Sequence, residues 1–284
     1  MLNINCLNCG VRNYAGDETC TSCGANLTLK PSPVIQTDSQ EWQPQVDPDR
    51  PHPGIAPFGI SNALSQTFSL FFGNLWLITK TVFVIVAPFE IFKAVSLPNV
   101  ENDWQFAAWT FFLAAASKVL VAPALIFAIM KILQTRRSPG IHESYSWGLT
   151  KLAKLSLCAL FSWILQGLGY VLLIIPGIIV GLALAVVYPV AVLEKGSVAE
   201  ALGRSAELTR GHRIEIFFAE IALALLLMIV TVPAGLFAAA GMFWPVTVIA
   251  SIVGHILEQM GIILSLVMYL SLPRNSNRGH AVLV

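Results

Sequence analysis

Four cysteines near the amino terminus have the types and spacing of a metal site. Cys6 and Cys9 form one C-x-x-C pair, Cys20 and Cys23 form a second, and a glycine follows each pair. Four thiolates in two such turns suit a tetrahedral Zn²⁺. The sequence therefore predicts a zinc ribbon over residues 1–28, with one structural ion, since four protein ligands leave no open position for catalysis.

Two other chemistries use the same cysteine spacing: a pair of disulfides and a rubredoxin-type iron. Disulfides require an oxidising compartment, whereas the charge pattern described below places this segment in the cytosol. An iron site would have a larger aromatic core than Tyr14 alone, so zinc is favoured and iron stays open. Residues 1–30 carry no basic stripe, which favours docking to a protein over binding to nucleic acid.

Three ionisable residues lie deep within apolar stretches, where such groups are often functional. Lys118 and Glu258 each lie about thirteen residues inward from the outer start of a predicted span, and His255 shares a helix face with Glu258. We interpret Lys118 and Glu258 as a buried pair with His255 as a proton-sensitive neighbour. The alternative is a structural pair or side chains that reach the headgroups, as we expect for Glu220 near the inner boundary and Glu90 near the outer one.

Motifs of common enzymes are absent from the sequence. It contains no G-x-S-x-G, Walker A, G-x-G-x-x-G or H-E-x-x-H pattern. We therefore predict a non-enzymatic protein with no catalytic residues and no cofactor besides zinc.

Composition predicts an integral membrane protein of the all-α class. Hydrophobic residues make up 56% of the 284 residues and charged residues 12%, with a mean hydropathy of +0.71. An ordinary soluble domain is about 25% charged. The net charge of +1 gives no electrostatic reason to expect nucleic acid as a partner.

Six apolar stretches are long enough to cross a bilayer. Residues 155–193 contain no charged residue in 39 positions, and one helix of that length would be about 58 Å long against a hydrocarbon core of about 30 Å. We place a reversal at Ile175–Pro176–Gly177, where proline ends the first helix and glycine permits the turn. The predicted spans lie near residues 75–97, 105–133, 155–174, 177–193, 214–240 and 245–272.

Basic residues set the predicted orientation. Eleven of them follow spans two, four and six, whereas Lys93 alone lies on the opposite side. By the positive-inside rule we expect these segments and both termini to be cytoplasmic. The eleven are Lys131, Arg136, Arg137, Lys151, Lys154, Lys195, Arg204, Arg210, Arg213, Arg274 and Arg278.

A charged segment between spans four and five predicts an amphipathic helix. Ser197 and Glu200 form a capping box, Gly211 ends the helix, and Glu200 is spaced to pair with Arg204. Similar segments precede spans one and three, which predicts three units, each an interfacial helix followed by two spans. The matching positions are Ile60, Ile141 and Val198; Ala63, Ser144 and Ala201; and Leu64, Tyr145 and Leu202.

The stretch IPGIIVGLALAVVYPVAVLEKGSVAEALGRSAELTRGHR, residues 175–213, carries a resemblance. With the hydropathy of residues 58–273, it resembles the six-span membrane domain that accompanies bacterial glycerophosphoryl diester phosphodiesterases and its uncharacterised relatives. Hydrolase activity in that family resides in a separate barrel of about 250 residues, and here 57 residues precede the spans. The resemblance therefore implies a six-span fold in the inner membrane of a bacterial-type cell and no hydrolase activity.

The predicted organisation leads to two functional hypotheses. A proline-rich flexible linker, residues 29–57, joins the ribbon to the membrane domain of residues 58–273, and residues 274–284 form a cytoplasmic tail. The favoured hypothesis is a membrane scaffold or assembly component that docks a protein partner through the ribbon. The alternative is a protein that transports or handles a small molecule or lipid by means of Lys118 and Glu258.

Overall fold

The computed structural model describes residues 3–5, 12–14, 42–46, 52, 55–96, 103–239 and 244–272. The chain divides into two compact units, Met1–Gln43 and Pro44–Val284. In the first unit, β1 (Asn3–Asn5) pairs antiparallel with β2 (Arg12–Tyr14), and Ile4 lies opposite Asn13.

The second unit is helical in its described part, which confirms an all-α membrane class. Among the described residues, five segments are long and apolar enough to cross a membrane: Leu75–Phe92, Ala115–Thr135, Leu152–Leu172, Ile174–Leu193 and Val248–Ser271. The helices described are α1 (Ile60–Gly73), α2 (Leu75–Ser96), α3 (Asp103–Thr135), α4 (Ile141–Leu149), α5 (Leu152–Leu172), α6 (Ile174–Ala183), α7 (Val187–Leu193), α8 (Val198–Leu208), α9 (Arg213–Ala239) and α10 (Trp244–Ser271).

The described helices follow one another in three similar groups. Each of α1, α4 and α8 is a short helix followed by two long segments, and the second long segment of the middle unit is divided into α6 and α7. Ile60, Ile141 and Val198 are the first residues of the three short helices. The buried face of each includes two small residues four positions apart: Ala63 and Thr67, Ser144 and Gly148, Ala201 and Ser205.

The three units close into a ring. The inner segments α3, α7 and α10 contact one another, and each short helix packs against the inner segment of the preceding unit: α4 on α3, α8 on α7, and α1 on α10. Residues 121–130 of α3 and 262–271 of α10 are buried, while α2, α5 and α9 present large exposed hydrophobic side chains. Burial of the inner segments therefore depends on all three units.

The reversal between α5 and α6 lies earlier than the sequence indicated. Leu173 is extended, with φ −168° and ψ 150°, and α6 already begins at Ile174. Pro176 lies in the first turn of α6, where its missing N–H costs nothing because that group has no helical partner. Proline therefore starts the second helix and does not end the first.

Two glycines bring α5 and α6 into close contact after the reversal. A Cβ added to Gly169 would lie 2.7 Å from the Cα of Gly177, and one added to Gly177 would lie 2.4 Å from the ring of Tyr170. Gly177 lies inside α6, after the turn at Leu173, and permits this approach between the helices.

Charged residues of the α7–α8 connection join the ends of four helices. Glu194 contacts Arg204 of α8 at 3.5 Å and accepts a hydrogen bond from the Tyr269 hydroxyl of α10 at 2.9 Å. Its backbone carbonyl accepts a hydrogen bond from Lys154 of α5 at 2.8 Å. This cluster links α5, α7, α8 and α10 at one end of the ring.

The predicted capping box at the start of α8 is confirmed, but its predicted end and ion pair are wrong. The Ser197 and Glu200 side chains form the capping box, whereas the helix ends at Leu208 with Thr209 as its C-cap. Gly211 lies beyond that cap, where its φ of +92° favours glycine. Because Glu200 is engaged by the cap, Arg204 pairs with Glu194 and with Glu207, each at 3.5 Å.

The short helix α4 is anchored to two neighbouring helices. Its Tyr145 hydroxyl donates a hydrogen bond to the Thr81 carbonyl of α2, and burial raises the pKa of that hydroxyl. Glu143 forms an ion pair with Lys131 of α3.

Described parts of the predicted linker contact the helical unit. The Gln45 amide donates to the Gln134 side chain of α3 at 3.3 Å, and the His52 amide donates to the Leu270 carbonyl of α10 at 3.0 Å. The chain is thus held against α3 and α10 at these two points.

Candidate functional site

A cavity of about 450 Å³ lies inside the helical unit, between α5, α6 and α7 on one side and α9 and α10 on the other. Most of its lining is aliphatic or aromatic. The polar side chains that line it are Lys118, Gln166, Tyr170, Tyr188, Glu220 and Ser265. Ligand sites in proteins share this composition, a largely apolar wall with a few polar groups.

The wall of the cavity includes a break in a membrane helix. Helix α6 ends at Ala183, α7 begins at Val187, and Leu184 and Ala185 from the turn between them line the cavity. Pro189 contributes to this break, because a proline has no N–H to donate to the carbonyl four residues earlier, which is that of Ala185. Non-helical backbone at membrane depth is tolerated where protein partners satisfy its polar groups.

Hydroxyl groups of two neighbouring helices bind the carbonyls freed by this break. Ser205 and Thr209 donate to the Ala183 carbonyl at 3.0 and 3.3 Å, and Ser265 of α10 donates to the Ala185 carbonyl at 2.6 Å. The break is therefore a stable feature of the fold. In membrane transport proteins, interrupted helices of this kind commonly border the binding site.

Lys118 and Glu220 bring opposite charges to the same cavity from α3 and α9. Within the described ranges, neither side chain forms an ion pair within 4.0 Å. We had placed Glu220 at the inner boundary with its carboxylate among the headgroups. It instead lines this cavity, where an unpaired charge is costly.

Among the described residues, Lys118 and Glu258 do not form the predicted ion pair within 4.0 Å. Glu258 instead contacts His255 Nδ1 at 3.5 Å, which confirms these two as neighbours on α10.

A fourth group, Glu90, completes a charged network between α2 and α10. Its Oε1 lies 3.1 Å from His255 Nε2, and the residue is 5% exposed. Our expectation that Glu90 reaches the headgroups is therefore wrong. Since ionised carboxylates only accept hydrogen bonds, His255 satisfies Glu90 and Glu258 together only with protons on both ring nitrogens. The network joins the first unit of the ring to the third.

The predicted zinc ligands Cys6, Cys9, Cys20 and Cys23 lie outside the described residues. Over the part of the chain that the structure describes, no group of three or more His, Cys, Asp or Glu side chains could hold a metal ion. Cys158 is buried in α5 as a free thiol.

Sequence reasoning found Lys118, His255 and Glu258 but missed the cavity. Glu220 lies seven residues into α9, and its position along the helix does not reveal which neighbour it faces. Pro189 was a usable signal for the break, because a proline inside an apolar stretch removes a helical hydrogen bond.

Comparisons with protein-family models, curated proteins and solved structures found no match for this chain. The geometry of the cavity and of the charged network therefore carries the functional argument.

Proposed function

We propose that this chain is a six-span protein of the bacterial inner membrane whose membrane domain binds a small molecule or lipid in the cavity between α6 and α9. The ligand class is that of the second sequence hypothesis, but the site combines Lys118 with Glu220 in place of Glu258. In our proposal both termini are cytoplasmic, as the distribution of basic residues indicates.

The length and composition of α9 support a sixth span. It has 27 residues, which corresponds to about 40 Å and exceeds the thickness of a hydrocarbon core. Residues 221–239 contain no charged side chain. In the third unit of the ring, α9 also takes the place that α2 and α5 have in the first two.

One observation carries the proposal: two opposite charges without ion-pair partners in the described ranges line one cavity beside a broken helix. An unpaired charge held away from water is costly. In a protein that only anchors a partner, nothing in the cavity offsets this cost. A bound ligand that contacts both charges would offset it.

Filling the cavity should abolish ligand binding. Ala224 lines the cavity from α9, so we expect an Ala224→Trp variant to lose the bound small molecule or lipid that native mass spectrometry detects on the wild-type protein. Leu225 is the next residue on the same helix and does not line the cavity. A Leu225→Trp variant is the matched control and should keep the bound molecule; equal binding by all three proteins would contradict the proposal.

A cytosolic zinc ribbon that docks a protein partner is a second, compatible function. The segment that joins β1 and β2 contains Cys6 and Cys9, and an antiparallel ribbon around the first C-x-x-C pair supports the zinc hypothesis. The ion would be held by Cys6, Cys9, Cys20 and Cys23 and would stabilise the fold of the ribbon. In this proposal neither module is enzymatic, and the resemblance to the phosphodiesterase-associated domains stays a prediction.

Zinc content tests the ribbon. Purified protein should contain about one zinc per chain, and a Cys6→Ser, Cys9→Ser variant close to none, because two ligands do not complete a tetrahedral site. Metal content is measured by elemental mass spectrometry. Cys158→Ser is the control, since this buried thiol lies in α5; iron in place of zinc, or equal zinc in the double variant, would overturn the assignment.

A further inference from the structure

We infer that the cavity takes a zwitterion, with its anionic phosphate or carboxylate at Lys118 and its ammonium group at Glu220. This inference rests on the proposed function and adds the chemical class of the ligand. The shared chemistry is an amine and an acid in one small group, which either a lipid headgroup or a free aminoalkyl phosphate supplies.

Charge balance in the cavity selects this class. Among the described residues that line it, Lys118 and Glu220 are the charged side chains, and they have opposite signs. An anion would satisfy Lys118 but leave Glu220 facing a like charge, and a cation would do the reverse. A ligand that carries both charges forms two favourable contacts and adds no net charge to a site of low dielectric constant.

The chemistry of the two side chains fits the two ends of such a ligand. The Lys118 ammonium is a compact donor of the kind that binds phosphate and carboxylate oxygens. The Glu220 carboxylate accepts hydrogen bonds from a primary ammonium. Gln166 and Ser265 add neutral polar groups to the same lining.

The size and openness of the cavity fit a headgroup. Its volume of about 450 Å³ is toward the small end of ligand pockets, which range over about 300–1,000 Å³. Tyr170 and Ile221 both line the cavity and are 51% and 37% exposed, so the cavity reaches the surface of the helical unit. A lipid could thus place its headgroup inside while its acyl chains stay in the bilayer.

The test compares two lipids with identical acyl chains and one difference in charge. Full-length protein is delipidated, reconstituted with phosphatidylethanolamine or phosphatidylglycerol, and assayed for bound lipid by native mass spectrometry. Both lipids carry the phosphate, but only the first carries the ammonium group. We expect at least a tenfold preference for phosphatidylethanolamine; equal binding, or a preference for phosphatidylglycerol, would overturn the zwitterion assignment.

Two substitutions separate the roles of the charges. Glu220→Gln should bind phosphatidylethanolamine and phosphatidylglycerol about equally, and Lys118→Met should bind both lipids more weakly than the wild-type protein. Glu215→Gln is the control, because Glu215 is exposed in the first turn of the same helix, where it pairs with His212. A Glu220→Gln variant that keeps the wild-type preference for phosphatidylethanolamine would overturn the assignment. The comparison of the two lipids on the wild-type protein does not depend on the folding of any variant.

Competition identifies the source of the zwitterion. If free phosphoethanolamine displaces the bound lipid and glycerol phosphate does not, the ligand is a soluble zwitterion; if neither displaces it, the ligand is the lipid itself. Both results support a zwitterionic ligand. Displacement by glycerol phosphate alone would overturn it. Loss of bound lipid in Ala224→Trp together with a preference for phosphatidylglycerol would leave the proposed cavity function standing and reject only the zwitterion.

Discussion

A Gly169→Val variant is expected to lose about 3 kcal/mol of stability against unfolding. The added Cβ would lie 2.7 Å from the Cα and 3.0 Å from the amide nitrogen of Gly177. These are backbone atoms of α6, so the contact is relieved only by moving one helix away from the other. Unfolding in mixed detergent and denaturant, followed by circular dichroism, measures the change.

Gly167 provides the matched control for this prediction. It lies on the same helix, two residues earlier, and a Cβ added there meets nothing within 4 Å. Gly167→Val should therefore change the free energy of unfolding by less than about 1 kcal/mol, which includes the small change in helix propensity. Similar losses in both variants would show that the close approach of α5 and α6 does not stabilise the fold.

A Glu194→Ala variant is expected to lose about 3 kcal/mol of stability, because Glu194 holds groups from two other helices at once. Its carboxylate contacts Arg204 and accepts from the hydroxyl of Tyr269, a residue that is 0% exposed. Removing one partner from a largely buried charged cluster costs more than removing an exposed ion pair. The measurement is again the free energy of unfolding in detergent.

A Glu207→Ala variant separates the effect of burial from that of an exposed ion pair. Its carboxylate also lies 3.5 Å from Arg204, but its side chain is 41% exposed, against 17% for Glu194. Solvent screens such a pair, so Glu207→Ala should cost less than about 1 kcal/mol. Equal losses in the two variants would mean that the contacts of Glu194 with α10 contribute little.

Features set by local sequence were predictable. The capping box of Ser197 and Glu200 depends on two residues three positions apart and on no distant neighbour. The repeat was visible because Ile60, Ile141 and Val198 open helices of the same kind in each unit. The apolar stretches gave the membrane class directly, since length and composition suffice for it.

Features set by contacts between distant helices were not predictable from the sequence. Glu90 faces His255 across 165 positions of the chain, and the pattern of α2 alone does not show that its carboxylate turns inward. Arg204 forms an ion pair with Glu194, because the Glu200 carboxylate is engaged in the capping box. The carbonyls freed by the break at residues 184–186 are bound by hydroxyls of Ser205, Thr209 and Ser265. These residues lie outside the broken segment, so its own sequence does not reveal them.

The lining of the cavity is also set by contacts between distant helices. Lys118 and Glu220 are 102 positions apart, and each sits in a stretch that is otherwise apolar. They line one cavity because closure of the three units places α3, α9 and α10 around the broken segment of the second unit. A sequence read one span at a time cannot show this relation.

An electron-microscopy structure of the full chain in lipid nanodiscs would test the cavity most directly. The account predicts density for a bound molecule between α6 and α9, with polar atoms about 3 Å from the Lys118 ammonium and from the Glu220 carboxylate. It also predicts that residues 184–186 stay non-helical beside that density. Direct pairing of Lys118 with Glu220, in a cavity closed by contact of α9 with α6, would contradict the account.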